Sequence, residues 1–439
     1  MPLAPNQDFI VPGTLNYFAA HFTPLVYVFG LVYKLVPSPA TVIALNVAVM
    51  VSSIIPLYML AVRKEGTRQF GKLAAALLLL YPTFQYITLY EFEMLRFSIP
   101  ILLWMLYFFE ARRFVLYGIF AAFAVLVREE VGLTVAAFGI YALIFARRRK
   151  EGLVAIILGL GGFWIISSIA MPLFRGEGTL EHIAAGLFGA FGRTPWEVVK
   201  GVLLHPLIVA KTIFVPVKLA NTFMLGLPLL FAPLLAPVAL LGAIPAIGVG
   251  LLSNSFAHSS YMLYYVAPAI PFIFYAFIHA WKKMIVRFAA ATITNTLIAG
   301  ILVSNVFFGL SPISLQFWFK NIQPAPFRTQ NFHWSVYKVN EHHRRVEKFV
   351  AMIPGDAIVS APQFLHPRLY KKRGTLVFPA LESKDGKWSA EYVLLDTTNN
   401  ELKSQSPAYV TKEEMTMVRG SDEWQRIASD DGYELYIRL

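Results

Sequence analysis

The chain has no cysteine. Disulfides, thiolate catalysis, iron–sulfur clusters and zinc–thiolate sites are therefore excluded, and the lack is compatible with a hot or oxidising habitat. Acidic residues are scarce: 26 Asp and Glu stand against 38 Lys and Arg, a formal net charge of +12. Residues 1–22 lack the basic and apolar regions of a secretory signal. No glycine-rich phosphate loop follows any expected strand, and no serine elbow or zinc motif is present. Neither an inverted repeat nor a sensor-type arginine ladder marks a transporter or voltage sensor. In a soluble protein the positive charge would suggest nucleic acid. No recognition module accompanies it here, so nucleic acid is not among the expected partners.

Apolar residues are abundant. They make up 57% of the chain, and the mean hydropathy is +0.58, too apolar for an ordinary soluble domain of this length. They fall in runs of about 15 to 25 residues, the length that spans a bilayer as helix. The 36 Phe and 20 Tyr suit an interior packed in lipid with rings near the headgroups. Basic clusters alternate with acidic turns between these runs. Arg63, Lys64, Arg68 and Lys72 are followed by Glu91 and Glu93, then Arg112 and Arg113, then Glu129 and Glu130. Arg147–Lys150 and Lys282, Lys283 and Arg287 follow. Short loops rich in Lys and Arg stay cytoplasmic, so the acidic turns are expected on the outer side.

The expected spans are Thr41–Val62, Leu73–Leu89, Phe97–Phe109, Phe114–Val127, Val131–Ala146 and Leu153–Phe174, after a short apolar segment at Pro24–Val36. A polar outer loop, 175–204, holds Arg175, Glu177, Glu181, His182 and Trp196. The proline-rich stretch 205–280 must cross an odd number of times to reach Lys282, and three spans fit: about 206–227, 234–252 and 261–280. A last span covers about 285–309. After Ser311 the composition becomes mixed and charged. A helix ending near Val346–Ile353 and strands at Ala357–Ser360, Gly374–Phe378, Glu391–Asp396 and Tyr433–Leu439 are expected. The fold class is thus an α-helical polytopic membrane protein of about 9 to 11 transmembrane or interfacial helices, residues 1–310. A small extracytoplasmic α/β domain, residues 325–439, completes it.

Several short motifs occur in a fixed order: His21-Phe22-Thr23-Pro24, Tyr90-Glu91-Phe92-Glu93 nine residues before Pro100, and Arg128-Glu129-Glu130-Val131-Gly132-Leu133. His258 with Tyr261, Ile353–Val359 and Tyr392–Asp396 follow. Together they resemble the markers of a family of integral membrane proteins of unknown function, numbered 2079, found largely in archaea and bacteria. That family is similar in layout to the GT-C type glycosyltransferases, which take sugars from polyprenyl-phosphate carriers. The resemblance implies an initial span and an Asp-bearing stretch before the first motif, whereas this chain begins about twenty residues ahead of His21. A misplaced start, a truncated gene or a protein without that span would each account for this, and Asp8 is the one carboxylate in the segment. Glu93 stands where the family usually has histidine.

A sugar transfer of this kind needs a base for the acceptor hydroxyl and donors for the departing phosphate. Glu91, Glu129 and Glu130 are the candidate catalytic carboxylates; each can equally be a helix-end charge in water. Arg128, set against the charge rule, is expected either to pair with Glu91 or Glu93 or to hold a lipid phosphate. His21, Glu93, Arg96, Arg128, Lys218, His258 and Tyr261 are the candidate substrate-binding residues. No cofactor follows from the sequence; a divalent metal on the histidines and glutamates is one option, and a histidine bonded to a loop is the other. Lys211 and Lys218, seven apart on one helix face, line a polar cavity or snorkel to the surface. Membrane lipids, and a polyprenyl-phosphate sugar, are the expected partners at the plasma membrane. The alternative is a non-enzymatic protein that binds lipids or a partner, or transports.

Overall fold

The computed structural model describes residues 17–90, 92–174, 186–320, 322, 333–383, 386–398 and 412–439. These form two compact units. One is helical and holds Phe18–Val36 and Ala40–Val336; the other is built mainly on Tyr337–Leu439.

Among the described residues, four helical segments are long and apolar enough to cross a bilayer: Pro39–Glu65, Arg149–Leu173, Phe256–Ile285, which is interrupted between Ser259 and Tyr264, and Ala290–Phe308. Two further apolar helix pairs among the described residues are bent, each a broken span or a re-entrant loop. Arg68–Leu79 meets Pro82–Leu89 at 54°, and Pro206–Ile213 meets Pro216–Leu229 at 69°. Both breaks precede a proline, and the residue before it is extended: Tyr81 at φ −69, ψ 114 and Val215 at φ −80, ψ 124. The proline ring removes one amide donor and disfavours the helical conformation just before it. The sequence expected each of these stretches as one span, with broken helices anticipated in the proline-rich stretch 205–280. Shorter apolar helices stand beside them at Val26–Leu35, Phe114–Val127, Val131–Ile144 and Pro237–Leu252.

Phe256–Ile285 is the centre of the bundle, with 83% of its apolar stretch buried, against 17–28% for the other three. The outer helices present large apolar side chains such as Leu35, Leu173, Leu207 and Val286. A water-soluble protein does not carry so much exposed apolar surface; lipid tolerates it.

Helices Val131–Ile144 and Arg149–Leu173 pack closely because glycines face each other. A Cβ at Gly132 would lie 2.5 Å from the carbonyl oxygen of Gly159, and one at Gly139 would lie 2.8 Å from that of Gly152. The two pairs are seven residues apart on each helix, so the contact repeats down one face. Gly161, in contrast, has nothing within 4 Å of a Cβ. Gly159→Ala is therefore expected to destabilise the bundle by about 1–3 kcal/mol, while Gly161→Ala leaves it unchanged or slightly more stable. Thermal unfolding midpoints of the two variants in detergent test this contrast.

The second unit is an α/β domain. Its five strands, β1 (Ile358–Ala361), β2 (Gly374–Val377), β3 (Tyr392–Asp396), β4 (Trp424–Asp430) and β5 (Tyr433–Arg438), are ordered β2-β1-β3-β5-β4. β1 runs parallel to β2 and β3; β5 is antiparallel to β3 and β4. Alternation along β3 sends Leu394 into one core, with Val346 and Phe349 of helix Glu341–Met352. Val393 and Leu395 enter the other, with Met415 and Val418 of helix Lys412–Arg419. The helix Lys412–Arg419 and β4 were not foreseen from sequence. β4 is mostly exposed, so it lacks the apolar run that reveals buried strands. Its turn into β5, Asp431-Gly432, has both residues at positive φ (49° and 83°), the geometry of a tight two-residue hairpin.

Candidate functional site

The motif Arg128-Glu129-Glu130 joins helix Phe114–Val127 to helix Val131–Ile144. The carbonyls of Arg128, Glu129 and Glu130 accept hydrogen bonds from the amides of Val131, Gly132 and Leu133. The loop is thus the first turn of the second helix, where carboxylates are favoured by the helix dipole.

Four other segments converge on this turn. His21 Nδ1 is 3.0 Å from Glu129 Oε1, and the Phe22 amide donates to Glu129 Oε2 at 3.1 Å. The Arg128 guanidinium lies 2.9 Å from His21 Nε2, 3.4 Å from Glu93 Oε1 and 3.0 Å from Glu130 Oε2. A guanidinium can only donate, so His21 Nε2 accepts and its Nδ1–H donates to Glu129. Glu93 also accepts from the Leu95 amide, capping the short helix Met94–Phe97. Arg128 faces the ring of Tyr265 at 5.8 Å, within cation–π range. His258 stacks on that same ring at 3.9 Å, and the Tyr264 hydroxyl donates to that of Tyr265 at 3.0 Å.

Charge is unevenly distributed. Three carboxylates, Glu93, Glu129 and Glu130, share one guanidinium. Burial would raise the Glu129 carboxyl, but the His21 hydrogen bond and the Arg128 charge outweigh it and hold its pKa below the usual range. Glu130 goes the other way: burial raises it, and the neighbouring Glu129 and Glu93 add to the rise. Two adjacent carboxyls are thereby shifted in opposite directions by the groups around them. A cavity of about 20 Å³ borders Glu130, Thr134 and Tyr265, room for about one water or hydroxyl group.

His21, Glu129 and Glu130 each offer one ligand atom, all within 4.8 Å of one another, and this donor set suits a divalent metal ion. In the present arrangement the guanidinium of Arg128 contacts all three side chains, so an ion would compete with it.

Other candidates lie elsewhere. Arg96 is fully buried and donates to the carbonyls of Glu93, Thr88 and Tyr90 and to Asn46 Oδ1. Buried Lys218 donates to the carbonyls of Leu251 and Ser253 at 2.7 and 2.8 Å. Tyr261 is buried against the ring of Tyr86, and its amide donates to Asn221; the ring partner of His258 is Tyr265 instead. Glu91, Asp8 and the loop residues Arg175, Glu177, Glu181 and His182 lie outside the described residues. Tyr264 and Tyr265 were missed from sequence, although their tandem position just before Pro268 was a usable sign.

A second polar cluster occupies the other end of the same helices. Glu110 accepts from the Tyr275 hydroxyl at 2.6 Å and from Lys64 at 3.2 Å, and its carbonyl accepts from Arg63. Glu110 ends helix Ser98–Glu110, whose start adjoins Glu93 and Arg96. Tyr275 is ten residues beyond Tyr265 on the central helix. The acidic cluster and the basic one are thus separated by roughly 15–20 Å of helix.

The fold and this polarity define an integral membrane protein of several apolar helices with an appended α/β domain. Over residues 5–435 the sequence matches the family described as predicted membrane protein (DUF2079), and the chain belongs to that family. No curated protein and no solved structure matches it.

Proposed function

We propose that the chain is a membrane glycosyltransferase that moves a sugar from a polyprenyl-phosphate carrier to an acceptor hydroxyl, at the outer face of the plasma membrane. The observation that carries this reading is the Arg128–Glu129–Glu130–His21 cluster at the helix ends opposite the basic loops. Basic loops face the cytoplasm, so this end, and with it the α/β domain that follows the last span, belongs outside. Arg128 supplies the fork that suits a departing phosphate. Glu130, its carboxyl raised and beside space for one hydroxyl, takes the acceptor proton. The acceptor oxygen bonds to the anomeric carbon, the bond from that carbon to the phosphate oxygen breaks, and polyprenyl phosphate leaves. Glu129 and His21 hold Arg128 in place. Glu91 neighbours the site in sequence and is a further candidate. A divalent metal on His21, Glu129 and Glu130 would take over the phosphate from Arg128, which makes added magnesium or manganese a second arm of the test.

The full-length protein in lipid nanodiscs, given labelled polyprenyl-phosphate sugars, is expected to show transfer. Glu130→Gln should lower kcat by about 10²–10⁴ with little change in KM. A base works only when ionised, so the rate falls as pH drops through the Glu130 pKa. Because that pKa is raised, the acid limb lies above the ordinary carboxyl range. Absence of both turnover and carrier binding would favour a non-enzymatic lipid- or partner-binding protein or a transporter; full activity in Glu130→Gln would remove Glu130 as the base.

A further inference from the structure

The α/β domain carries a cavity of about 590 Å³ at the carboxyl ends of β1 and β3. The chain leaves β1 towards β2 on one flank, then returns past β1 to form β3 on the other. The ends of β1 and β3 therefore diverge, and open α/β sheets bind their ligands in the crevice at such a switch point. The volume lies within the range of small-molecule sites. Phe364 and Arg368 follow β1, Asp396 ends β3, Asp431 sits in the β4–β5 turn, and His342 opens helix Glu341–Met352; all five line the cavity.

His342 is clasped between the two aspartates. Its Nε2 is 3.1 Å from Asp396 Oδ2 and its Nδ1 is 3.1 Å from Asp431 Oδ2, while its ring stacks on Tyr433 at 4.4 Å. Burial pushes the imidazole pKa down, but the two aspartates outweigh it and leave it above the ordinary histidine value. Thr398 donates to the other oxygen of Asp396 at 2.7 Å. This arrangement narrows the ligand. The carboxylates bind opposite nitrogens of one ring, so they cannot close on a shared metal ion while His342 lies between them. Two carboxylates in the wall disfavour an anion, and Arg368 is already paired with Glu347 at 2.5 Å. What remains is a neutral ligand rich in hydroxyls. Its O–H groups would donate to the carboxylates, and its C–H face would rest on Phe364 in the cavity wall.

We infer that this crevice is a binding site for a sugar residue, separate from the membrane site and not dependent on the transferase reading. The test is saturation-transfer NMR on the full-length protein in nanodiscs. The probes are N-acetylglucosamine, N-acetylgalactosamine, mannose, galactose and glucose, with magnesium chloride and sodium phosphate as competitors. At least one sugar is expected to give a signal that neither salt displaces. Asp431→Asn should weaken it about tenfold, the loss of a charge-assisted hydrogen bond. Asparagine tolerates the positive φ of Asp431, so the turn survives, and an unchanged thermal midpoint confirms that. Phe364→Ala should weaken the same signal independently. Glu130→Gln should leave it intact, whether or not the membrane site is catalytic. No signal from any sugar, a signal that persists in both domain variants, or one lost in Glu130→Gln overturns the inference.

Discussion

Arg96→Met is expected to abolish stable folding of the helical unit. The guanidinium is wholly buried and donates to three carbonyls and to Asn46 Oδ1, at 3.1–3.4 Å. Methionine fills much of the volume but donates nothing. Buried acceptors left without a donor cost about 1–3 kcal/mol each, so with two or more orphaned the loss is about 3–5 kcal/mol. That is a large part of the stability of a typical domain. Arg96→Lys should recover only part of it, because an ammonium group cannot span acceptors arrayed for a planar fork. Unfolding midpoints in detergent, together with the yield of monodisperse protein, provide the measurement. A midpoint equal to the parent's in Arg96→Met would show that the carbonyls find other donors.

The second large effect is expected at Arg128. Arg128→Ala leaves Glu93, Glu129 and Glu130 facing one another with their common cation removed, and takes the donor from His21 Nε2. Removing one partner of a buried ion pair costs about 3–5 kcal/mol. The loss carries a pH signature. In the variant Glu129 and Glu130 lose the Arg128 charge that lowers both their pKa values, so protonation relieves the repulsion and stability returns as pH falls. The parent behaves oppositely at Glu129. Its depressed pKa contributes stability above the ordinary carboxyl range, and that stability is lost as pH falls through the folded pKa. Unfolding midpoints across a pH series should therefore converge for parent and variant on the acid side. Parallel curves would show that Arg128 does not neutralise the three carboxylates.

Much of the helical unit was legible in the sequence. Phe114–Val127 begins and ends as expected, and Ser98–Glu110, Val131–Ile144, Arg149–Leu173 and Ala290–Phe308 agree within a few residues. Lipid imposes this legibility. Each backbone group in the bilayer must be satisfied within its own helix, so a span is a local property of composition. The grouping of His21, Glu93 and Arg128–Glu130 at one end was legible for a related reason, since loop charge reports the side of the membrane. The bend before Pro82 was not, because a proline can kink a helix or end it; breaks in the proline-rich stretch 205–280 were anticipated.

Taken alone, the sequence determined that apolar helices dominate, where most of them lie, and that acidic and basic groups gather at opposite ends. These are matters of composition and charge, and each short stretch carries them. Only the tertiary structure decided which groups touch. It joined His21 to Glu129 across 108 residues. It turned Arg96 into a tie between helices, chose Tyr265 over Tyr261 as the partner of His258, and drew His342, Asp396 and Asp431 around one cavity. Such contacts depend on the angles at which helices and strands pack, and no local pattern of residues encodes those.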